Sequence, residues 1–231
     1  MAGFNVVLVR NSGPVAGYPA AYAHFRDRAW ATGQRVYNEL TGKGDMLGKQ
    51  HLLDLYRDGF PVIPSVGSAG ELDRLPPSDR YVVKPLLGAD SAGLTMGTAE
   101  EVRAADPAGV VVQPMVEIVH EVSFYVVDRT LVYALHTPDP RQRWELEPYE
   151  PSDEDESFVR RFVEWNDIEH GLQRVDAART ADGRLLLVEL EDLNPYLSLD
   201  RATPQGREAL VRELTEALWR LVETWPQSCQ G

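Results

Sequence analysis

The 231-residue chain carries 36 acidic against 23 basic side chains, a formal net charge of −13, and no basic stripe, so duplex nucleic acid is not an expected partner. No apolar run reaches the roughly 18 residues that a membrane span needs, and "MAGFNVVLVRNSG" lacks the basic-then-apolar order of a signal peptide. The single Cys229 excludes an internal disulfide framework and points to a reducing, cytoplasmic setting.

In chain order, "FNVVLV" (4–9) is short, apolar and β-branched and predicts a buried strand. "YPAAYAHFRDRAWATG" (18–33) has helical spacing and ends on Gly, and "RVYN" predicts a short strand. A helix is expected over 45–59, with Asp45 at its N-cap. "PVIPS" then predicts an edge-type strand, because Pro cannot donate to a ladder. "AGELDRL" predicts a short helix, "YVVKP" a strand, 98–105 a helix and "GVVVQPMVE" another strand. "EVSFYVVD" and "TLVYALHTP" predict a hairpin turning at Asp128-Arg129. The acidic run "WELEPYEPSDEDESF" reads as a solvated loop and helix start. A helix over 157–171, a second hairpin over 172–191 and a long amphipathic helix from "PQGREALVREL" onward complete the chain. Trp165, Trp219 and Trp225 fall on the apolar stripes and are expected in the core. The order is α+β, or mixed α/β, rather than a run of parallel βαβ units.

Two features carry chemistry. In "RVDAARTADGRLLLVELEDLNP", Glu189 and Glu191 are two residues apart on one strand and project to one face, and the turn brings Asp176 opposite them. Clustered carboxylates repel unless protons or a cation intervene, and hard oxygen donors suit Mg²⁺. The second feature is Lys usage. Of 23 Lys and Arg residues only Lys43, Lys49 and Lys84 are Lys. A compact ammonium suits a phosphate in a narrow groove, and Lys84 ends a strand just before the glycine-bearing "GADSAGLT". A Gly/Ser-rich surface turn is the plainer reading of that loop taken alone.

In this order the features resemble the ATP-grasp superfamily, near its glutathione synthetase and D-alanine–D-alanine ligase branches, over residues 35–200. "GKQHLLDLYRDGFPVIPS" resembles the family's Lys-led helix, with Lys49 as the first nucleotide lysine. "YVVKPLLGADSAG" resembles the strand with the second lysine, Lys84, and its phosphate-covering loop, with Ser91 and Gly93. "VVVQPMVEIVHEVSF" resembles the adenine hinge, implying Gln113, Pro114, Met115 and Val116 at the base and Glu121 at the ribose. The second hairpin resembles the R-x-D and E-x-N motifs. That implies Asp176, Glu189 and Glu191 on the metal, Mg²⁺ or alternatively Mn²⁺, and Arg174 at the reacting carbonyl. Glu191 stands where the family often has Asn; Asn194 is a less suitable replacement, five residues from Glu189.

The resemblance implies an ATP-grasp fold, with a remnant of an N-terminal domain over 1–44, a nucleotide-lysine subdomain over 45–116 and a metal subdomain over 117–231. It implies ATP-dependent joining of a carboxylate to an amine through an acyl phosphate, with small-molecule substrates or a carrier-bound acyl group. Arg141 and Arg143 are candidate anion contacts, and His136 and Lys43 are either structural or substrate residues. The short amino-terminal part implies a homodimer or a subunit that supplies the rest. The alternatives are a non-catalytic ATP-binding subunit and a ligase acting on a thiol or hydroxyl.

Overall fold

The computed structural model describes residues 4–10, 15–87, 93–139, 141–142 and 144–223. The first strand, β1 (Val7–Leu8), is followed by α1 (Pro19–Thr32) and by β2 (Val36–Tyr37), which pairs parallel with β1. Gly33 ends α1 at φ 61°, a left-handed conformation that glycine adopts without a Cβ penalty. Ala29, Val36 and Leu40 form a small core here, with Val9, Tyr22 and Phe25 against it.

The expected helix over 45–59 is interrupted. A 3₁₀ turn covers Asp45–Leu47, Gly48 follows at φ 71°, and α2 (Gln50–Arg57) begins after Lys49. Gly48 cannot continue a right-handed helix at that φ, and a Cβ there would stand 2.6 Å from the Leu86 carbonyl oxygen. Asp45 is not a helix cap; its carboxylate accepts the Asp192 and Leu193 N–H groups at 2.7 and 2.9 Å.

A 3₁₀ helix over Ala69–Arg74 leads to β3 (Tyr81–Pro85), β4 (Thr95–Gly97), α3 (Ala99–Ala105) and β5 (Val110–Pro114). The strands form an antiparallel sheet in the order β4-β3-β5. Its core joins Val66, Leu72, Tyr81, Val83, Val102 and Val112. The sequence reading placed the β4 residues in a loop.

The larger sheet follows: β6 (Ile118–Val127), β7 (Thr130–Thr137), β8 (Glu147–Tyr149), then α4 (Asp153–Asn166), β9 (Leu172–Thr180), β10 (Leu185–Glu191) and α5 (Pro204–Glu223). Its order is β10-β9-β6-β7-β8, antiparallel throughout. Alternation along the strands sends Val122, Phe124, Val126, Val175 and Ala177 to one face, where α4 covers them with Phe158, Phe162 and Val163. Tyr125, Val127 and Leu172 turn to the other face, under Leu210, Ala217 and Leu221 of α5. The "PVIPS" segment borders β10 as an edge, with Ile63 N–H on Leu187 O at 3.1 Å and Leu187 N–H on Pro61 O at 2.8 Å.

Two expectations are corrected. The acidic run is only partly solvated: it supplies β8, and Ser152 and Asp155 form a capping box that starts α4 at Asp153 rather than at 157. Asp155 is fully buried because Tyr149, Ser152 and Arg179 all bond its carboxylate. Trp219 is not a core residue but is 60% exposed, whereas Trp165 packs against the core and Trp225 lies outside the described residues.

Candidate active site

The β9–β10 ladder pairs Asp176 with Glu189 and Arg174 with Glu191, after a bulge between Leu187 and Glu189. The neighbouring ladder pairs Ser123 with Asp176 and Tyr125 with Arg174. Directly paired residues share a face, so three carboxylates and one guanidinium project together, as the i, i+2 spacing predicts. The apolar partners Val175, Ala177 and Leu190 alternate to the opposite side and anchor both strands in the core.

Arg174 fixes this face. Its Nη2 donates to Asp176 Oδ2 at 2.8 Å and to Glu191 Oε1 at 2.5 Å, Nε donates to Asp176 Oδ1 at 2.9 Å, and Nη1 donates to the Tyr196 carbonyl at 3.0 Å. Ser123 Oγ donates to Asp176 Oδ1 at 2.6 Å. Burial opposes the Arg174 charge, but Asp176 and Glu191 outweigh it and hold the guanidinium above its ordinary value. Burial pushes the Glu191 carboxyl well above the usual carboxylate range; Arg174 offsets part of this, while Asp176, Asp45 and Glu189 add to it.

Lys49 and Lys84 approach this face from outside the large sheet. Lys49 Nζ donates to Glu189 Oε1 at 2.8 Å, and its N–H donates to the Leu86 carbonyl at 2.8 Å. Lys84 sits on β3 opposite Val111. Burial raises the Glu189 carboxyl, but Lys49, and behind it His51 and Lys84, bring it below its ordinary value. Three acids on one face, one of them held up in pKa by its acidic neighbours, are a donor set that a hard divalent cation fits. Among the described residues, Glu39, Glu169 and His170 are the group whose ligand atoms all lie within 4.8 Å. The hairpin carboxylates stand further apart, with Arg174 and Lys49 bonded to them.

The remaining expected residues fall as follows. Gln113 is buried on the same side of its sheet as Lys84, and its Nε2 donates to Ser65 Oγ at 2.8 Å. Pro114, Met115 and Val116 line a cavity of about 950 Å³ with Phe60, Pro61 and Leu186. Glu121, paired with Ala178, shares the carboxylate face of the large sheet. Gly93 adopts φ 74°, and a Cβ there would meet Pro85 at 2.9 Å. Ser91 and Arg143 lie outside the described residues. Arg141 is not brought to the hairpin in any described contact: its side chain is 88% exposed and grips Asp139 through Nε at 2.9 Å and Nη2 at 2.8 Å. The short Asp-to-Arg spacing closes that turn on itself. His136 pairs with Val122, on the face opposite the carboxylates, beside His120 and Tyr149. Lys43 is structural, with Nζ on the Trp165 carbonyl at 2.7 Å.

Sequence reading missed three contributors. Asp192 is fully buried and accepts the Gly44 and Met46 N–H groups at 2.8 and 3.2 Å, so it and Asp45 bind the loop before Lys49 to the end of β10. Burial and the neighbouring Asp45 carboxylate push Asp192 well above the usual carboxylate range. Gly42 and Gly44 lie against Asp192 so closely that a Cβ would collide; the spacing in "TGKGD" was the available signal. His51 accepts the Leu190 N–H through Nε2 at 3.3 Å, which puts the ring proton on Nδ1, and Nδ1–H donates to the Gly48 carbonyl at 3.0 Å. Burial depresses its pKa. Arg10, after β1, places Nη2 on the Pro195 carbonyl at 3.1 Å.

No family model and no curated protein matches the sequence. Solved structures do match its shape. D-cycloserine synthetase DcsG superposes with a TM-score of 0.72 at 20% identity, over 96% of this chain and 85% of that one. The ATP-grasp ligase PsnB, in complex with a phosphomimetic variant of its minimal precursor, Mg and ADP, gives 0.63 at 21% identity, over 91% and 77%. D-alanine–D-alanine ligase from Bacillus anthracis, in complex with ATP, gives 0.65 at 15% identity, over 96% and 82%. At these identities the common property is architecture: the chain has the ATP-grasp fold.

Proposed function

We propose that this chain is an ATP-dependent ligase that activates a carboxylate as an acyl phosphate and joins it to an amine. The observation that carries the reading is the convergence of Lys49 and Lys84 from one subdomain with Arg174, Asp176, Glu189 and Glu191 from the other. A site of this composition, two ammoniums, one guanidinium and three carboxylates, suits a polyphosphate with its cation better than a neutral ligand. The similar structures fit the same chemistry, since PsnB holds Mg and ADP and the B. anthracis ligase holds ATP.

In this reading Lys49 and Lys84 neutralise the α- and β-phosphates. Gly93 lies at the phosphates, while residues 113–116 border the base and Glu121 takes the ribose. Asp176, Glu189 and Glu191 would hold Mg²⁺, which when bound supplies charge neutralisation between the β- and γ-phosphates. The substrate carboxylate attacks the γ-phosphorus and ADP leaves; an amine then adds to the acyl carbon and phosphate leaves. Arg174, beside Asp176 and Glu191, is placed to stabilise the acyl phosphate and the oxyanion of the tetrahedral intermediate that the amine forms. No covalent nucleophile is required of the protein; its task is orientation and charge stabilisation.

The test is ADP release by the purified chain with Mg²⁺, ATP and a panel of carboxylates and amines. Release that needs both the cation and an acid supports the reading. ATP binding without release across a broad panel favours a non-catalytic subunit.

A further inference from the structure

The amino-terminal segment lines an open cavity of about 330 Å³, at the lower end of the range for small-ligand pockets of roughly 300–1,000 Å³. Val7 and Val9 form one wall and Tyr18, Tyr22 and Phe25 the other, so the lining is almost wholly apolar. Arg10 is the one charged residue among the described lining residues.

Arg10 also ties this cavity to the reaction centre. Its Nη2 donates to the Pro195 carbonyl at 3.1 Å, and Arg174 Nη1 donates to the next carbonyl, that of Tyr196, at 3.0 Å. Two guanidinium groups therefore hold the successive carbonyls of one segment. Burial lowers the Arg10 pKa and the Glu191 charge restores part of it, which places Arg10 within electrostatic reach of the carboxylate face. At the far wall, burial followed by the Asp192 charge pushes the Tyr22 hydroxyl up to about 12, so this ring borders the Asp45–Asp192 pair. Through Arg10 the cavity is therefore linked to the segment that Arg174 holds from the carboxylate face.

We propose that this cavity receives the side chain of an apolar or aromatic carboxylic acid substrate, whose carboxylate is held by Arg10. The inference rests on the ligase reading and names its substrate class. One cation at the rim of an otherwise apolar cavity is complementary to one amphipathic acid; a polar or cationic substrate would forfeit the apolar walls or be repelled by Arg10. Arg10 thereby acts as a specificity residue, distinct from the nucleotide-binding lysines.

The experiment uses the full chain with Mg²⁺ and ATP, and phenylalanine, phenylalaninamide, alanine and glycine as probes, in both enantiomers where these exist. Binding is read by calorimetry and turnover by ADP release. Phenylalanine is expected to show a KM at least about tenfold below that of alanine, the scale a few buried methylenes give. Its amide is expected to fail. Arg10→Gln should raise the phenylalanine KM by about tenfold or more, Arg10→Lys should recover part of the loss, and the KM for ATP should stay within about twofold. Unchanged unfolding temperatures exclude misfolding as the cause. Turnover with small acids alone, or an unaltered KM in Arg10→Gln, overturns the inference and leaves the ligase reading standing. Arg10-dependent phenylalanine binding without any ADP release supports the pocket and counts against the ligase reading. No phenylalanine binding by either readout overturns the pocket.

Discussion

Arg174 Nη2 lies 2.8 Å from Asp176 Oδ2 and 2.5 Å from Glu191 Oε1, so a single guanidinium holds two of the three hairpin carboxylates. It is both their counter-ion and a competitor for any cation they bind. Arg174→Met should therefore separate the two roles. Turnover is expected to fall by about 10²–10³-fold, the scale for losing one donor at a developing oxyanion. Binding of Mn²⁺ without nucleotide, followed by calorimetry, is expected to tighten, because two buried carboxylates are left without their counter-ion. Weaker Mn²⁺ binding would mean that Arg174 organises the carboxylates for the metal rather than competing with it.

The Lys49–Glu189 contact at 2.8 Å ties the residue before α2 to β10. Nucleotide phosphates would compete with Glu189 for that ammonium. Lys49→Ala and Lys84→Ala should each weaken ATP by about 10–100-fold, the range for hydrogen bonds to charged groups of about 1.5–3 kcal/mol. Fluorescent-nucleotide titration measures this directly. An affinity near wild type in either variant removes that lysine from the phosphate site.

Gly48 holds φ 71° with its backbone against Leu86, and Lys49 N–H bonds the same carbonyl. Gly48→Ala must move the turn that carries Lys49. A loss of about 1–3 kcal/mol in denaturant stability is expected for this strain, together with weaker ATP binding. A neutral effect on both would show that the turn yields without moving Lys49.

His51 carries the pH prediction. It is buried, its folded pKa is depressed, and its neutral form accepts the Leu190 N–H. The unfolded chain protonates near about 6.5 while the folded chain does not. Its stabilising contribution is therefore full above that pH and declines as pH falls toward the folded pKa, by at most about 1.4 kcal/mol per pH unit. Asp192, raised by burial, has the opposite sign: its contribution is full below the ordinary carboxylate pKa and is lost as pH rises through its folded value. The comparison must then be wild type against His51→Asn in urea melts over pH 5–8. The variant is expected to lose the slope below about 6.5. An identical slope in both proteins would show that His51 charges without cost.

Much of the architecture was legible in local patterns. Gly33 marks the end of α1 because its φ of 61° suits glycine, and the alternation Arg174-Val175-Asp176-Ala177 assigns charge and core to opposite faces. The short β4 and β8 strands were not legible, since three-residue strands carry too little periodicity to read. Arg141 looked like an anion ligand by residue type, but Asp139 two positions earlier captures it.

The amino-acid sequence by itself determined the two strand faces, the end of α1 at Gly33 and the order of the lysines and the acidic hairpin, because each depends on spacing within a few residues. Tertiary structure decided which charges meet. Lys49 reaches Glu189 across 140 positions, Asp192 binds the Gly44 loop across 148, and Arg10 approaches Pro195 across 185. Such pairings depend on how the two sheets pack, which no local period encodes. Packing also decides which neighbours each buried group meets: burial raises both Glu189 and Glu191, but Lys49 brings Glu189 below its ordinary value, while Asp176, Asp45 and Glu189 add to the rise of Glu191, two residues along the same strand.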